Sequence, residues 1–341
     1  MSAALDFRPP EQRLGYFTQL YRMNLEHKIM PGLVYLYLPE LRAHHGWDDE
    51  TALWVAFING LTQSPITTLR ILERLPSCPP AGAALTSFTE WFNAEWANLH
   101  FDTDRLKNKR NTVKAIQSYA ARVLAWGSQA AMLAPTRSYA ELWETASSFY
   151  SMGRLSCFSY LEYVKIMGFG ADCDDLMFGD LSGSRSHRNG MLFLLGQDHL
   201  VWDKRANNGF DGKYESLSRM VAYLAVDADR YLLTYRNSHA HPDANNFTLE
   251  SQLCQFKNGF FARRYPGVYA DMAWDRIRWY EDRNLSSLTT WFKNVRAQHL
   301  PEWLREECET KTVERKFKAT RFIETGVPFR AEHFLKEFQH G

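Results

Sequence analysis

Cationic and hydroxyl side chains are concentrated between residues 182 and 190. The stretch holds three serines, two arginines and a histidine, and Gly183 and Gly190 flank them. Glycines let a backbone curl around an anion, and arginine and serine side chains donate hydrogen bonds to its oxygen atoms. We therefore interpret the stretch as a polar loop that binds an anion, against the alternative of an exposed loop without function. Its candidate ligands are Arg185, Ser186, His187, Arg188 and Asn189.

A second set of reactive side chains follows on a predicted helix over residues 248–258. Glu250, Cys254 and Lys257 are spaced four and three residues apart, opposite an apolar stripe formed by Leu249, Leu253 and Phe256. This spacing places the three polar side chains on one helix face, so they can point into one cleft. The alternatives are a charged pair on the surface and a packed, inert cysteine.

Arginine and tyrosine surround a predicted turn at Pro266-Gly267. Such side chains suit phosphate contact and base stacking, although they also suit ordinary packing between lobes. The candidates for these contacts are Arg264, Tyr265, Tyr269 and Asp271.

His239, His241 and Asp243 form a His-x-His pattern with a nearby carboxylate, which can bind Zn²⁺. The surrounding asparagine and serine residues are more typical of a polar loop. We therefore expect no metal-binding residues here.

Two predicted helices and a tight turn precede the first of these stretches. The sequence Ser138-Tyr139-Ala140-Glu141 matches a capping box, in which serine and glutamate each satisfy a backbone amide at a helix start. The helix runs to a turn that ends at Gly153, and a second helix leaves from Arg154 towards a C-terminal cap at Gly168. Another helix is expected after Ser64-Pro65, with Ser64 as its cap.

Apolar residues recur at helical spacing along almost the whole chain, which predicts an all-α fold. Only residues 313–322 alternate as a strand would, which leaves room for a small β-hairpin near the C-terminus. At 341 residues we expect two domains, with one large helical body as the alternative. The predicted divisions are an N-terminal lobe over 1–135, a catalytic region over 136–300 and a packed extension over 301–341.

The net charge of +1 excludes a uniformly basic nucleic-acid-binding protein, so DNA contacts require local clusters. Lys107, Lys109 and Arg110 form one such cluster, together with Arg105 and Lys114, and a second lies within 311–321. A solvated helix face explains either cluster equally well.

Five cysteines without a CxxC pair fit a reducing compartment and no zinc ribbon. Without a secretory signal or a long apolar run, the protein is expected to be soluble and cytoplasmic, in the host cell if phage-encoded.

The turn sequence Phe149-Tyr150-Ser151-Met152-Gly153-Arg154-Leu155-Ser156-Cys157 resembles the hairpin of helix-hairpin-helix DNA glycosylases, whose signature reads Leu-Pro-Gly-(hydrophobic)-Gly-Arg-Lys-Thr-Ala. The resemblance implies a glycosylase-like fold with two helical lobes around a cleft. It also implies that backbone amides near Ser151, Gly153 and Arg154 grip a DNA phosphate while a nucleotide is flipped. Ser151 replaces the first glycine, which puts the turn geometry in question. Leu155 stands where lyase-type glycosylases carry lysine, so strand-cleaving chemistry is disfavoured.

Three segments, 153–162, 180–190 and 249–257, are similar to the alpha-glutamyl/putrescinyl thymine pyrophosphorylase family of bacteriophages, also called amino acid:DNA transferases. The similarity covers about residues 140–280. It implies that an amine, such as glycine, glutamate or putrescine, attacks the methylene of (pyro)phosphorylated 5-hydroxymethyluracil in double-stranded DNA. A C–N bond forms and (pyro)phosphate leaves, and a divalent ion such as Mg²⁺ could accompany it.

Under this resemblance the candidate residues take roles. Asp180 is favoured as the base or as the ammonium partner, His187 belongs to the catalytic group, and Glu250 would hold the donor. Cys254 could add to uracil C6, and Lys257 would bind phosphate with Arg185, Ser186, Arg188, Asn189 and Arg264. Two alternatives remain: a glycosylase on the same scaffold and a non-catalytic DNA-binding protein.

Overall fold

The protein is represented by a computed structural model that describes residues 6–30, 32–80, 82–102, 105–176, 178, 186–201, 241–260, 268–309 and 322–327. Across these residues it forms α-helices and short 3-10 helices and no β-strand, which confirms the all-α prediction. Most of the predicted strand near the C-terminus, residues 313–321, lies outside the described ranges.

The α-helices, numbered along the chain, are α1 (Pro10–Glu26), α2 (Val34–His45), α3 (Asp49–Thr62), α4 (Pro65–Leu72), α5 (Gly82–Ala94), α6 (Leu106–Trp126), α7 (Gln129–Met132), α8 (Tyr139–Ser147), α9 (Arg154–Ile166), α10 (Ser186–Leu194), α11 (Asn246–Gly259), α12 (Val268–Glu281), α13 (Thr290–His299) and α14 (Glu302–Cys308). Within the described part of the chain, none of them is long and apolar enough to cross a lipid bilayer. The cytoplasmic location stays a prediction.

Backbone contacts divide the chain into two compact units. One unit comprises Met1–Gly32, Cys173–Asp271 and Pro301–Gly341, and the other comprises Leu33–Asp172 and Met272–Leu300. The predicted lobe boundaries at residues 135 and 300 stay predictions, and so does the predicted cleft between the lobes. For clarity, the unit that contains α10 and α11 is called the α10–α11 unit, and the other is called the hairpin unit.

The hairpin unit is built around α3, whose residues from Ala52 to Thr62 are all buried. A helix that is covered on every side has to be apolar all round, which explains its composition. Helix α9 packs closely against it, because a Cβ at Gly60 would lie 3.0 Å from the Cβ of Tyr160. Phe57 and Tyr119 stack beside this contact with ring centroids 3.8 Å apart.

The α10–α11 unit has an aromatic core on the inner face of α1. The Phe17 ring meets Phe256 of α11 edge to face at 5.5 Å between centroids. A hydrogen bond of 2.8 Å joins the hydroxyl groups of Tyr21 and Thr248. These contacts fix α11 against α1 and leave its other side for α10.

Local capping signals had mixed outcomes. The capping box of Ser138 and Glu141 is confirmed at the start of α8. The predicted cap by Ser64 is wrong: its hydroxyl accepts from the Thr67 hydroxyl at 3.1 Å, and no side-chain cap forms. A second capping box, which was not predicted, joins Asn245 and Thr248 at the start of α11.

The prediction of a polar loop over residues 182–190 is wrong for residues 186–190. Residues 186–190 form the first described turns of α10, and His187, Arg188 and Asn189 are buried. Their polar side chains are accommodated inside the fold because neighbouring main-chain groups accept their hydrogen bonds. Residues 182–185 lie outside the described ranges.

Candidate active site

The contact between α10 and α11 depends on Gly190. A Cβ at this position would collide with the carbonyl oxygen of Leu253 and would lie 2.7 Å from its carbonyl carbon. Real Cβ atoms do not approach a backbone this closely, so only glycine lets the two helices meet here. The start of α10 is thereby held beside α11, within reach of three polar side chains on that helix.

We call the group formed by Ser186, His187, Glu250, Cys254 and Lys257 the crossing site. It brings the predicted anion-binding stretch and the predicted helix face together, as the contacts described next show. The catalytic and binding roles assigned to these residues stay predictions.

His187 and Glu250 form the buried centre of the crossing site. The His187 Nδ1 and Glu250 Oε1 atoms are 3.2 Å apart, and the two side chains are 0% and 8% exposed. The other ring nitrogen, Nε2, lies 2.9 Å from the carbonyl oxygen of Leu176, and Phe178 stacks on the ring at 5.3 Å. Because a carbonyl oxygen only accepts hydrogen bonds, Nε2 carries a proton and donates it.

This assignment leaves the lone pair of His187 on Nδ1. That atom faces Glu250 Oε1 at 3.2 Å, and the alignment of the two atoms does not make a hydrogen bond. The buried centre of the crossing site therefore holds a ring nitrogen without a hydrogen-bond partner beside a carboxylate.

Cys254 lies between this pair and a cationic pair. Its Sγ donates to Glu250 Oε1 at 3.5 Å, while Lys257 Nζ donates to Ser186 Oγ at 2.5 Å. Burial, with the Glu250 charge, raises the pKa of Cys254 well above its usual range, against the opposing effect of Lys257. The group is a thiol at rest, so the predicted addition to uracil would first require transfer of its proton, and that role stays a prediction.

The guanidinium group of Arg188 is turned towards the protein. Its Nε donates to the carbonyl oxygen of Phe178 at 2.8 Å, and the side chain is buried. Asn189 is buried as well. Their predicted phosphate contacts stay predictions.

In the described part of the chain, one group of side chains has metal-ligand spacing. The ligand atoms of His187, Glu250 and Cys254 all lie within 4.8 Å of one another. At the His-x-His pattern, the Asp243 amide donates to His241 Nδ1 at 3.2 Å. His239 lies outside the described residues.

Several predicted site residues cannot be placed by the structure. Asp180, Arg185, Arg264 and Tyr265 lie outside the described residues. Tyr269 and Asp271 form part of α12, but the structure describes only their backbone.

The hairpin unit contains the predicted DNA-binding turn between α8 and α9. Ser151 adopts a left-handed conformation with φ of 66°, and Asn111 Nδ2 donates to its hydroxyl at 3.2 Å. Gly153 has φ of −80° and space for a side chain. The left-handed conformation therefore falls at the position of the first signature glycine. In this chain that position is Ser151, whose hydroxyl accepts a hydrogen bond from Asn111.

The predicted basic cluster beside this turn consists of two kinds of residue. Lys107 and Arg110 are exposed on α6. Lys109 Nζ donates to the carbonyl oxygens of Trp96 and Leu99 at 2.6 and 2.7 Å, and burial lowers its pKa. Lys107 and Arg110 are consequently better placed for DNA contact than Lys109.

The sequence profile of a family described as amino acid:DNA transferase matches residues 36–265. The chain belongs to this family. A protein named serinyltransferase, from Salmonella phage ViI, is 28% identical over 308 residues, which are 83% of this chain and 72% of the relative. No solved structure matches the chain. Family membership makes the protein a transferase that modifies DNA by transfer of an amino acid, while the helix-hairpin-helix scaffold stays a prediction.

The crossing site of this transferase also depends on residues that were not predicted. Leu176 and Phe178 hold His187 and Arg188 through main-chain carbonyl groups, which any residue type could supply. The sequence predicts that Gly190 lets the backbone curl around an anion, whereas the structure uses it for a helix contact.

Proposed function

We propose that this transferase joins an amino acid to the exocyclic methylene of (pyro)phosphorylated 5-hydroxymethyluracil in DNA. The observation that carries the proposal is the crossing site, where the buried pair His187 and Glu250 adjoins the Lys257 ammonium group and its hydrogen-bond partner Ser186. Cys254 connects the two pairs, since its thiol interacts with both Glu250 and Ser186.

The proposed reaction uses each pair for one half of the bond exchange. The donor ammonium group gives a proton to the His187–Glu250 pair, and its nitrogen forms a bond to the methylene carbon. The carbon–oxygen bond of the ester breaks, and its electrons leave with the pyrophosphate. Lys257 and the Ser186 hydroxyl counter the negative charge of that leaving group.

Other predicted residues complete this proposal. Asp180 is proposed as an alternative base, and Tyr265, Tyr269 and Asp271 as contacts to the base or the donor. Arg185, Arg188, Asn189 and Arg264 are proposed phosphate ligands. The low exposure of His187 and Glu250 supports the exclusion of water, which would otherwise hydrolyse the activated base.

The hairpin is proposed to hold the DNA strand. Backbone amides around Ser151 and Gly153 would contact a phosphate, and Lys107 and Arg110 would add charge from α6. Arg154, at the first position of α9, would contribute a further cationic contact.

The direct test is incubation of the protein with DNA that contains pyrophosphoryloxymethyluracil, followed by digestion to nucleosides and mass analysis. Serine is the first donor to test, because the phage ViI relative is named serinyltransferase; glycine, glutamate and putrescine follow. DNA with the monophosphate or the free hydroxymethyl group defines the leaving group, and reactions with and without Mg²⁺ define the ion requirement.

The expected result is a nucleoside with the mass of the 5-hydroxymethyluracil nucleoside plus the donor minus one water, with one pyrophosphate released per transfer. The absence of such a nucleoside with every donor would refute the proposal. Free base and abasic sites in the same digest would instead indicate a glycosylase.

A further inference from the structure

Three different kinds of metal ligand converge in the crossing site. The distances from Glu250 Oε1 to His187 Nδ1 and to Cys254 Sγ are 3.2 and 3.5 Å, and all three ligand atoms lie within 4.8 Å of one another. In a tetrahedral zinc site with bonds of about 2.0–2.3 Å, neighbouring ligand atoms are about 3.3–3.8 Å apart. The two short distances therefore correspond to the edges of a coordination tetrahedron.

His187 is oriented as metal-binding histidines are. Its Nε2 donates to the Leu176 carbonyl oxygen at 2.9 Å, which leaves the lone pair on Nδ1. Metal ligands of this type commonly donate the second ring N–H to a carbonyl or carboxylate, because this fixes the tautomer and the ring direction. Nδ1 is buried, makes no hydrogen bond and faces Glu250.

We infer that His187, Glu250 and Cys254 bind a single Zn²⁺-type transition-metal ion. Nitrogen and sulfur ligands favour such an ion over Mg²⁺ or Ca²⁺, which prefer oxygen. Three protein ligands leave a tetrahedral ion one position for water or a substrate oxygen.

Charge balance supports a divalent ion in this buried position. A cysteine binds a metal as the thiolate, so binding displaces the proton of the Cys254 thiol. A divalent ion with one thiolate and one carboxylate is then neutral as a group, which lowers the cost of burial. Lys257, whose charge acts on Cys254, opposes binding and is expected to limit the affinity.

This inference uses side chains of the proposed site but does not depend on the proposed function. With the ion bound, proton transfer from the donor would fall to Asp180, the alternative base named above. The test is a titration of chelator-treated, metal-free protein with Co²⁺, which reports on its own coordination. We expect saturation at one ion per chain, with visible bands of tetrahedral cobalt and a near-ultraviolet thiolate-to-cobalt band. Zn²⁺ should displace the cobalt, Mg²⁺ should not, and a pH indicator should detect the released protons.

Two cysteine variants identify the sulfur ligand. Cys254→Ser should remove the thiolate band, whereas the control Cys78→Ser should retain it, because Cys78 is similarly half-buried but lies outside the crossing site. His187→Ala and Glu250→Gln should each weaken cobalt binding by more than about 100-fold, since even outer-shell partners contribute about 10- to 100-fold.

Absence of saturable Co²⁺ binding, or a thiolate band that survives Cys254→Ser, would overturn the inference. X-ray absorption of the zinc-loaded wild-type protein provides a check that needs no variant. One sulfur among nitrogen and oxygen neighbours supports the site, and a shell with no sulfur or several sulfurs refutes it. Cobalt binding without DNA modification would uphold the metal site alone, and transfer activity without cobalt binding would refute the metal site alone.

Discussion

The hairpin and the crossing site place polar groups in opposite environments. At the hairpin, Ser151 takes a left-handed conformation and Gly153 has free space around it. At the crossing site, Gly190 has no space, and His187 and Glu250 are almost completely buried. An exposed turn can hold a charged polymer without desolvating its own groups, whereas a buried pair excludes water. The proposed function accordingly assigns DNA holding and bond formation to different parts of the chain.

The largest expected effect separates these two tasks. Glu250→Gln should reduce the turnover number for amino acid transfer by about 100-fold or more, because the carboxylate proposed to help accept the donor's proton is lost. Its affinity for DNA should remain at the wild-type value. Single-turnover assays combined with fluorescence anisotropy measure both quantities, and unchanged turnover would exclude Glu250 from the chemistry.

The second prediction compares the two glycines. Gly190→Ala should lower the free energy of unfolding by about 3 kcal/mol, because a methyl group would collide with the Leu253 backbone. Gly153→Ala should cost less than about 1 kcal/mol, since its Cβ meets nothing and only a helix-capping preference is lost. Urea unfolding of both variants tests the comparison, and equal losses would contradict the backbone contact.

The third prediction concerns the surface beside the hairpin. The double substitution Lys107→Ala and Arg110→Ala should weaken DNA binding about tenfold and reduce the salt dependence of log Kd by about 2. Lys109→Met is the matched control on the same helix. It should destabilise the fold while binding DNA normally, because Lys109 already donates to main-chain carbonyl groups.

The fourth prediction uses the raised pKa of Cys254. In metal-free protein, alkylation of this residue should remain slow up to pH of about 8.5, the ordinary thiol range, and accelerate only above it. Glu250→Gln removes a charge that raises this pKa, so the profile should move to lower pH. Peptide mass spectrometry after timed iodoacetamide treatment measures the rates. The exposed variant Glu11→Gln should leave the profile in place, and a fast reaction at neutral pH in wild type would contradict the raised pKa.

The smallest effect is expected at Ser151. Ser151→Gly relieves a left-handed conformation but loses the hydrogen bond from Asn111, so stability should change by less than about 1 kcal/mol. Ser151→Val should be worse by about 2 kcal/mol, because a β-branched side chain tolerates positive φ poorly. Thermal unfolding distinguishes the two, and equal stability would contradict the observed turn.

Local signals predicted those elements that are determined locally. The capping box at Ser138, the turn before α9 and the positive φ of Gly168 after it all follow from short-range geometry. The face of α11 followed from helical spacing, and the all-α class from repeated apolar periodicity.

Distant contacts determined what the sequence did not reveal. Ser186 to Gly190 has the composition of a loop, yet it is helical, and His187 to Gly190 are buried beside Leu176, Phe178 and Leu253. These three residues contribute mainly main-chain atoms to the contacts, and residue type does not reveal such contacts. The sequence likewise groups Lys109 with surface lysines, because the groups that accept its hydrogen bonds are the main-chain carbonyls of Trp96 and Leu99.

Gly190 also limits how the enzyme can be redesigned. A saturation library at this position should yield almost no folded variants, because even one methyl group meets the α11 backbone. Selections for a new amino acid donor would therefore do better to fix Gly190 and randomise the side chains around it, such as Ser186 and Lys257. Gly190 contributes no side chain to the proposed chemistry, yet it has to be kept when the residues around it are changed.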